Sequence, residues 1–391
     1  MEAIELIEIV LRGEDSRSQF KETITNPTSL AGDMVAFSNS KGGRILIGVS
    51  DKGAIVGLSP EDLRRINQLV SSTSTDLVRP SINPTTENIS ISGGLIVMVV
   101  TIQEGISKPY SDNGGVFWVK SGSDKRRVTS REEIQRMFQS ADLVHADEVA
   151  VDGATTVDID SDHFNRFFEK FYGETVDSVL EKSNIPLSQL LNNLGLARGT
   201  TLNLAGLLIF GKRPQRYRPA FVVKAVSFAG NDPAGSHYRD SQDIEGCLRD
   251  LYRGIMSFLG RNLRHVQNEK GFNSQGEPEV PLTALEEIVV NMLLHRDYFI
   301  SAPWRVLIFD NRIELISPGA LPNSITIENI RNGVSVIRNP LIASFATKDD
   351  ELPYRGIGTG IRRALAAVSN LELESDHERN LFTVRIARSA A

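Results

Sequence analysis

The sequence predicts an α/β fold class, in which helices and strands alternate along a chain of 391 residues. Apolar residues recur every three or four positions between residues 284 and 298, which is the spacing of an amphipathic helix. Short aliphatic runs such as LIVMVVTI at residues 95–102 are typical of buried strands. Because a chain of this length exceeds the usual size of one domain, we expect two or three domains.

The first 140 residues alternate between the two patterns. Helices are predicted in LIEIVL, LAGDMVAFSNS, PEDLRRINQLVSSTSTDL and SREEIQRMFQSAD, and strands in RILIGVSD, LIVMVVTI and GVFWVKSG. Ser130 stands three residues before Glu133, the spacing of a capping box, and predicts the start of the last of these helices. We therefore expect one domain over residues 1–140.

An acidic stretch marks the next predicted boundary. Residues 142–162 contain seven Asp or Glu residues and no Lys or Arg, the composition of an exposed linker or of a strand between domains. We expect a linker at 141–162, a mostly helical middle domain at 163–280 and a further α/β domain at 281–391. Within the middle domain, LAGLLIFG and AFVVKAVSF are predicted to be strands.

Composition excludes several classes of protein. The chain is 40% hydrophobic and 24% charged, as in ordinary soluble globular proteins. It has no apolar run of about 18 residues and no basic, apolar start, so we expect neither a membrane span nor a secretory signal. The single cysteine, Cys247, excludes an internal disulfide and a cysteine-based zinc site, which favours a cytoplasmic location. Because the net charge is −6, any nucleic-acid-binding surface must be local.

Three polar residues lie one helical turn apart in the helix predicted at 284–298. Glu287, Asn291 and His295 are spaced at i, i+4 and i+8, which places them on one stripe of the helix surface. A carboxylate and a carboxamide one turn apart can orient a water molecule and hold a hydrated Mg²⁺ ion, as a nucleotide phosphate chain requires. The alternative is that they are ordinary polar residues of a half-buried helix.

A glycine-rich segment follows further along the chain. Gly356, Gly358 and Gly360 directly precede a predicted helix. Glycines at a helix start allow the backbone to approach an anion, and the helix N-terminus supplies free N–H groups. The same pattern is also common in flexible turns. Between the two motifs, residues 305–322 are predicted to form a hairpin around a turn at Asp310.

The ordered set of helix, hairpin and glycine segment resembles the C-terminal domain of RecG-related bacterial proteins that carry a Schlafen AlbA-2 domain. That domain is a divergent relative of the GHKL ATPases. The resemblance implies a GHKL-like α/β sandwich that binds ATP and Mg²⁺, with Glu287 activating water and Asn291 binding the metal. His295, Arg296 and Asp297 match the family's H-R-D-Y signature, to which the sequence assigns no role.

The same resemblance implies where the nucleotide lies. It places Asp310 near the family's adenine-reading aspartate and Gly319 near a following glycine, with the phosphates wrapped by Gly356, Gly358 and Gly360. The sequence after Asp310 is N-R-I-E, whereas the family usually has D-x-G-x-G. Two alternatives therefore stay open, a working ATPase and a retained fold with a weakened or lost nucleotide site.

A second resemblance covers residues 10–138. Phe20-Lys21, AFSNSKGG, IGVSDKG and a strand that ends in Lys120-Ser121-Gly122 occur in the order found in the Schlafen AlbA-2 domain. This resemblance implies a mixed sheet with helices that binds DNA or RNA. It also raises the question of cleavage, because some animal members of the family cut RNA with three carboxylates.

Those nucleases use two acids five residues apart around the FK motif and a later Asp, a set that would hold a divalent metal beside a phosphodiester. In this chain the first position is Glu14, the second is Gln19, and Asp51 is the candidate third member. A neutral carboxamide is a poor replacement for a metal-binding carboxylate, so binding is favoured over cleavage. Glu14 and Asp51 are otherwise a turn acid and a hairpin acid.

Basic residues concentrate between positions 118 and 136, with six Lys or Arg against three Asp or Glu. Strand ends and loops are where such side chains meet backbone phosphates and where an aromatic ring can stack on a base. The candidate nucleic-acid contacts are Trp118, Lys120, Lys125, Arg126 and Arg127, extended by Lys21, Lys41 and Arg44. The alternative is a solvated basic face, and the resemblance favours binding. Such binding should weaken steeply with added salt.

The favoured function is a cytoplasmic DNA-binding transcriptional regulator, acting as a homo-oligomer, in which a bound nucleotide changes how the N-terminal domain engages nucleic acid. The alternatives are a Schlafen-like metal-dependent nuclease that uses Glu14 and Asp51, and a GHKL-type ATPase with Glu287 as the base. Helicase activity is not expected, because the chain has no G-x-x-x-x-G-K-[ST] loop. The scattered histidines imply no metal site.

Overall fold

The computed structural model describes residues 1–91, 93–141, 143–234, 237–266, 276–322 and 325–388. The chain divides into two compact units, Met1–Val144 and His145–Ala391. Both units combine helices with sheets, which confirms the predicted α/β fold class. No helix in these ranges is both long and apolar enough to cross a membrane.

The first unit follows the order of helices and strands predicted from its sequence. Its helices are α1 (Ala3–Arg12), α2 (Pro27–Asn39), α3 (Pro60–Ser72), which continues into a π-helical turn at Thr73–Leu77, and α4 (Arg131–Ser140). Its strands are β1 (Ser18–Lys21), β2 (Gly43–Ile47), β3 (Val78–Arg79), β4 (Thr85–Ile91), β5 (Leu95–Ile102), β6 (Ser111–Asp112), β7 (Trp118–Ser121) and β8 (Asp124–Arg127). Ser130 caps α4 as predicted, since its side chain accepts a hydrogen bond from the N–H of Glu133 at 3.3 Å.

The main sheet of this unit has the strand order β1-β2-β5-β4. β1 and β2 are parallel, and the other neighbours are antiparallel. Ile45 and Ile47 belong to the core that includes α2 and α3, whereas Leu46 belongs to the core that includes α1. Successive side chains of a strand point to opposite faces of the sheet, so these two cores cover both faces of β2. Burial on both faces explains its continuous apolar sequence.

The AFSNSKGG segment forms a tight turn between α2 and β2. Gly42 has a φ of +70°, and a Cβ at that position would lie 2.7 Å from the backbone N of Glu104. A Cβ on Gly43 would collide with the ring of Phe37. Asn39 brackets the turn, because its Nδ2 donates to the carbonyls of Tyr110 at 2.8 Å and Trp118 at 2.9 Å. The motif is thus required for the turn geometry.

The second unit is longer and includes a larger sheet. Its helices are α5 (Ser161–Tyr172), α6 (Val176–Ser183), α7 (Leu187–Asn193), α8 (Leu204–Phe210), α9 (Leu248–Asn262), α10 (Leu282–Leu294), α11 (Ile327–Arg331), α12 (Pro340–Ala346) and α13 (Gly360–Ala367). Its strands are β9 (Ala150–Thr155), β10 (Ala197–Arg198), β11 (Thr201–Asn203), β12 (Val223–Phe228), β13 (Tyr238–Ile244), β14 (His265–Val266), β15 (Glu277–Pro278), β16 (Trp304–Ile308), β17 (Arg312–Pro318), β18 (Leu371–Asp376) and β19 (Leu381–Ala387).

Six strands form its main sheet in the order β13-β12-β16-β17-β19-β18. β12 and β16 are parallel, and the other neighbours are antiparallel. One hydrophobic core joins this sheet to α8, α9, α10 and α12. Strands from before and after residue 280 therefore share one sheet, which differs from the predicted division into a middle and a C-terminal domain.

The stretch predicted as an exposed acidic linker also differs from that expectation. It contains a 3-10 helix at Ala146–Glu148 and then β9, which pairs with β11. Asp147 is buried, and its Oδ2 accepts a 2.9 Å hydrogen bond from the N–H of Ile342 in the first turn of α12. Burial raises the pKa of Asp147. This part of the stretch belongs to the packed second unit, and Asp142 lies outside the described residues.

The prediction of a strand in LAGLLIFG is wrong, because these residues form α8 and its C-cap. The side chain of Asn203 accepts a 2.9 Å hydrogen bond from the N–H of Gly206 and caps the helix. Every residue of α8 is buried. A short helix that is apolar on all sides has no polar face, so hydrophobic periodicity does not separate it from a buried strand.

Candidate functional site

The polar stripe predicted from the sequence lies on α10 and faces a cavity. Glu287 and Asn291 line this cavity together with His295, which is the C-cap residue directly after the helix. The Nδ2 of Asn291 donates to the backbone carbonyl of Glu287 at 2.6 Å, so Oδ1 is the remaining polar atom of that side chain. The neighbouring residues Ile288 and Met292 are buried and fix the orientation of the helix.

The glycine segment packs directly on this stripe. Gly356 and Gly358 have φ values of +68° and +75°, a region that favours glycine. A Cβ on Gly358 would lie 2.6 Å from the carbonyl of Gly333, and a Cβ on Gly360 would collide with the carboxylate of Glu287. Thr359, the N-cap residue of α13, forms no side-chain cap. The two motifs that the sequence separates are thus in contact, and only glycine allows the approach.

An ion pair joins the same two motifs. Arg363, on α13, donates from Nε to Oε1 of Glu287 at 3.0 Å, and its Nη2 donates to the same oxygen. Its Nη1 donates to the Oγ1 of Thr359 at 3.0 Å. The side chain of Glu287 is 15% exposed and that of Arg363 is 53% exposed. The carboxylate that the sequence favours as a water-activating base is therefore paired with an arginine in this conformation.

The cavity has a volume of about 120 Å³. An apolar cavity of about 150 Å³ is known to hold a benzene ring, so this one has the size of a single ring and not of a whole nucleotide. Its walls combine aliphatic, aromatic and polar side chains, among them Met292, Leu315, Ser317, Ala320, Arg338, Tyr354, Phe382 and Val384. A mostly apolar wall with a few polar groups is typical of small-molecule sites.

Asp310 does not lie at this cavity. It occupies the turn between β16 and β17, where its Oδ1 accepts a 2.6 Å hydrogen bond from Arg239. This hydrogen bond lowers the pKa of Asp310. Gly319 lies beyond the opposite end of β17 and lines the cavity. A strand of seven residues spans roughly 20 Å, so the role expected of Asp310 as an adenine contact does not fit its position.

Ser317, Arg338 and Arg363 are cavity residues that the sequence reasoning missed. Ser317 donates from Oγ to the carbonyl of Met292 at 3.1 Å. Arg338 donates from Nη2 to the carbonyl of Ala320 at 2.8 Å, and burial lowers its pKa. The available signal for Ser317 was the Ser-Pro-Gly sequence at the end of an apolar strand. Arg338 carried no signal, because its segment has no periodic pattern.

The H-R-D-Y signature has a structural explanation in the second unit. Arg296 is fully buried, with its guanidinium 4.2 Å from the ring centroid of Trp304 and 4.4 Å from that of Phe221. Its Nη2 donates to the carbonyls of Ile300 and Ala302 at 2.6 and 2.5 Å. Burial lowers the pKa of Arg296 to about 10, so the side chain stays charged at neutral pH. These contacts hold the turn after α10 against Trp304 of β16 and so stabilise the adjacent cavity wall.

His295 contributes a neutral ring to the cavity. Burial lowers its pKa to about 4, and the charge of Arg338 acts in the same direction. The ring also lies edge-on to Tyr354, with 6.3 Å between the ring centroids. At neutral pH this histidine therefore offers hydrogen-bonding atoms but no charge.

The nuclease candidates in the first unit belong to no group of three potential metal ligands among the described residues. Glu14 accepts a 2.7 Å hydrogen bond from the N–H of Phe20, which fits the interpretation as a turn acid. Asp51 is exposed, and the buried Oε1 of Gln19 has no hydrogen-bond partner among the described residues. No group of three His, Cys, Asp or Glu side chains within those residues could hold a metal ion.

Most of the candidate nucleic-acid contacts are paired with carboxylates of the same unit. The ion pairs are Lys21–Asp33, Lys125–Asp33, Lys41–Glu104, Arg44–Glu5 and Arg126–Glu133, at distances from 2.7 to 3.3 Å. Trp118 is half-buried and donates from Nε1 to Asp112 at 2.8 Å. These pairings reduce the positive charge that the sequence alone attributes to the surface.

Two basic candidates stand apart from these ion pairs. Arg127 ends β8, is exposed, and forms no ion pair within the described part of the chain. The Nζ of Lys120 donates to the carbonyl of Ser123 and lies 4.9 Å from the ring centroid of Phe37. Burial lowers the pKa of Lys120. Arg127 is thus the candidate most available to an external anion.

Asp33 is a further residue that the sequence reasoning missed. It is only 1% exposed, and the Nζ atoms of Lys21 and Lys125 lie 3.2 and 2.9 Å from its carboxylate. Both contacts are within ion-pair distance, although their angles fall outside hydrogen-bond geometry. A buried carboxylate needs such compensation. The available signal was a single acid within the apolar run LAGDMVAF.

Two protein families match separate parts of the chain. Residues 14–129 match the family described as "Schlafen, AlbA_2". Residues 302–386 match the family described as "Putative ATP-dependent DNA helicase recG C-terminal". Both resemblances inferred from the sequence motifs are thereby confirmed, and together they indicate a nucleic-acid-associated protein. α10, with Glu287 and Asn291, lies before the second matched segment. No curated protein matches the chain.

Two solved structures are similar to parts or most of the chain. The DIP2311 protein from Corynebacterium diphtheriae is 19% identical, with 99% of this chain and 80% of that chain covered and a TM-score of 0.46. The second is the N-terminal domain of a "Putative ATP-dependent DNA Helicase RecG-related Protein" from Nitrosomonas europaea. It is 24% identical, with 34% of this chain and 96% of that chain covered and a TM-score of 0.24.

Proposed function

We propose that this protein is a nucleic-acid-binding regulator of transcription. We propose further that its second unit binds a nucleotide, which changes the conformation of the protein. The observation that carries this proposal is the convergence of Glu287, Asn291 and the glycine segment on one ring-sized cavity. The first unit supplies the contact to DNA or RNA. We propose that the working form is a cytoplasmic homo-oligomer, in which nucleotide binding alters the affinity for nucleic acid.

The cavity suits the base of a nucleotide better than its phosphates, because its wall is mostly apolar. Its volume of about 120 Å³ is that of one ring, so a purine with two fused rings requires the cavity to widen. The phosphates would lie at the start of α13, where Thr359 leaves the first N–H groups without a side-chain cap. Since the glycine segment contacts Glu287 directly, a complete nucleotide requires that segment to move.

Asn291 is the side chain suited to hold Mg²⁺, through Oδ1. Its Nδ2 is engaged with the carbonyl of Glu287, which fixes the orientation of the carboxamide. A bound Mg²⁺ would neutralise phosphate charge at this position. Glu287 is neutralised by Arg363 and is not set to accept a proton from water in this conformation. This pairing supports a nucleotide-dependent switch over a constantly active ATPase.

In the first unit, the hairpin of β7 and β8 is the proposed nucleic-acid contact. It carries Lys120, Arg126 and Arg127, of which Arg127 is exposed and without an ion pair among the described residues. Arginine binds phosphate with planar, paired hydrogen bonds. Contacts of this kind carry no sequence information, so we expect affinity to depend on salt more than on sequence.

Fluorescence anisotropy with labelled duplex DNA, single-stranded DNA and single-stranded RNA tests this function. Each titration is run with and without ATP and Mg²⁺, at several salt concentrations. We expect affinity to fall about 10- to 100-fold between about 50 and 200 mM salt, as for a protein that neutralises a few phosphates. ATP with Mg²⁺ should change the affinity by about fivefold or more.

The same samples distinguish the alternatives. Absence of binding to all three nucleic acids at low salt would contradict the proposal. Cleavage that disappears in Glu14→Ala would favour the metal-dependent nuclease, and phosphate release that disappears in Glu287→Gln would favour the ATPase. Matched controls are Asp15→Ala, next to Glu14, and Glu286→Gln, next to Glu287, because each removes a carboxylate at a neighbouring position.

A further inference from the structure

Arg363 occupies the junction between two concave surfaces. It lines the cavity described above, together with Asn291 and Met292, and it also lines a neighbouring groove. The groove is acidic, because Glu286, Asp349 and Asp350 border it together with Glu287. A ligand whose ring lies in the cavity and whose phosphates lie at the start of α13 must pass the guanidinium of Arg363, which is in the first turn of that helix.

The guanidinium is held by groups that a phosphate chain can replace. Two of its nitrogens donate to Glu287 and the third donates to Thr359. The side chain is 53% exposed, so an anion reaches it without being buried first. A phosphate carries more charge than a carboxylate and offers oxygens that match the guanidinium fork. Solvent reaches the pair on the arginine side, and ion pairs that solvent reaches are weak enough to exchange partners.

We infer that Arg363 is a phosphate-binding residue that exchanges Glu287 for the polyphosphate of the bound nucleotide. The inference rests on the proposed nucleotide site and adds to it the residue that detects the phosphates. In this structure, Glu287 occupies the anion position of Arg363. Binding of the phosphates releases Glu287, and the contact of Gly360 with its carboxylate is then free to loosen.

This exchange gives the two members of the ion pair opposite effects on nucleotide affinity. Removing the charge of Glu287 removes a competitor, so polyphosphate should bind more tightly. Removing the charge of Arg363 removes the phosphate contact, so polyphosphate should bind more weakly. If the pair only held the glycine segment closed, both substitutions would loosen that segment and shift affinity in the same direction.

The test is isothermal titration calorimetry of the full chain with ATP, ADP and adenosine in the presence of Mg²⁺. Glu287→Gln should tighten ATP binding about threefold to fivefold, the size expected for loss of an exposed ion pair. Arg363→Gln should weaken ATP binding about tenfold or more, as for loss of a charge-assisted hydrogen bond. Adenosine has no phosphate, so its affinity should change by less than about twofold in either variant.

Matched controls use residues of the same type that line neither concave surface. Arg362→Gln removes an exposed arginine next to Arg363, and Glu378→Gln removes an exposed carboxylate in the turn between β18 and β19. Both should leave the affinity for ATP within about twofold of the wild-type protein. Circular dichroism melts of all four variants establish that they are folded.

The outcomes separate this inference from the proposed function. If the wild-type protein binds none of the three ligands, the nucleotide site itself is refuted, and the inference fails with it. If the wild-type protein binds ATP but both pair variants shift its affinity in one direction, the proposed function stands and the exchange is refuted. An equal loss of ATP and adenosine affinity in Arg363→Gln would also refute it, because that result indicates a structural role.

Discussion

The carboxylate of Asp33 lies 2.9 Å from the Nζ of Lys125, although Asp33 is almost completely shielded from solvent. Lys21 approaches the same carboxylate from β1 at 3.2 Å. The side chains of the two lysines are 21% and 24% exposed, so each can also reach water. This arrangement assigns both lysines a part in holding α2 against neighbouring strands, in addition to any contact with nucleic acid.

The substitution Asp33→Asn should destabilise the first unit. It leaves Lys21 and Lys125 without their buried counter-charge, and we expect the free energy of unfolding to fall by about 2 kcal/mol, below the loss for a fully buried pair because both lysines reach solvent. Urea unfolding followed by circular dichroism measures the change. Asp76→Asn, an exposed acid of the same unit, is the control and should change stability little. An equal stability of the wild-type and Asp33→Asn proteins would refute the structural role.

Arg127→Ala should weaken nucleic-acid binding and lower its salt dependence. If Arg127 contacts one phosphate, its removal should reduce the slope of log affinity against log salt by about one, with a similar loss for all sequences. Lys41→Ala is the comparison, because Lys41 is paired with Glu104 at 3.3 Å and should contribute less. Anisotropy titrations over a salt series give both slopes. Equal slopes for wild type and Arg127→Ala would remove Arg127 from the contact surface.

His295 should make the second unit sensitive to mild acid. Its pKa is about 4 in the folded state and about 6.5 when unperturbed, so the unfolded chain takes up a proton where the folded protein does not. The resulting stability is fully present above about pH 6.5 and is lost as the pH falls toward about 4. Between about pH 7 and 5 the loss is at most about 2 kcal/mol.

The measurement compares urea unfolding of wild type and His295→Gln at the two pH values. The variant should lose less stability on acidification, because glutamine does not titrate in this range. His377→Gln, at an exposed histidine of the turn between β18 and β19, should lose as much as the wild-type protein. A parallel loss in His295→Gln and wild type would show that other groups account for the acid sensitivity.

Arg296→Lys should destabilise the second unit by about 2 kcal/mol. An ammonium group retains the charge but loses the planar stacking against Trp304 and Phe221 and cannot reproduce the hydrogen bonds to Ile300 and Ala302. Thermal unfolding measures the loss, with Arg305→Lys on β16 as the matched control. If both variants melt at the wild-type temperature, the buried guanidinium has no specific role.

Local sequence was sufficient for many elements of the fold. The continuous apolar run of β2, the cap at Ser130 and the periodicity of α10 each depend on residues within a few positions of one another. The prediction for LAGLLIFG failed because an all-apolar segment has no hydrophobic period that distinguishes a helix from a strand. Its helical state depends on the cap from Asn203 and on the packing that buries every residue.

The candidate site was predicted only in part. Glu287, Asn291 and the glycine segment meet as expected, because their motifs were read as one ordered set. The resemblance assigned Asp310 to the adenine, whereas β17 carries the chain from that turn to Gly319 at the opposite end of the strand. Ser317 was missed although it lies two positions before Gly319 in the sequence.

The sequence by itself determined the α/β fold class, the two family resemblances and the motifs of Glu287, Asn291 and the glycine segment. These follow from periodicity, turn glycines and ordered motifs, which are local properties of the chain. Only the tertiary structure decided which charges are free. Arg363 pairs with Glu287, and Lys125 pairs with Asp33, across long stretches of chain. Charge pairing depends on distance and burial in space, which no pattern of neighbouring residues specifies.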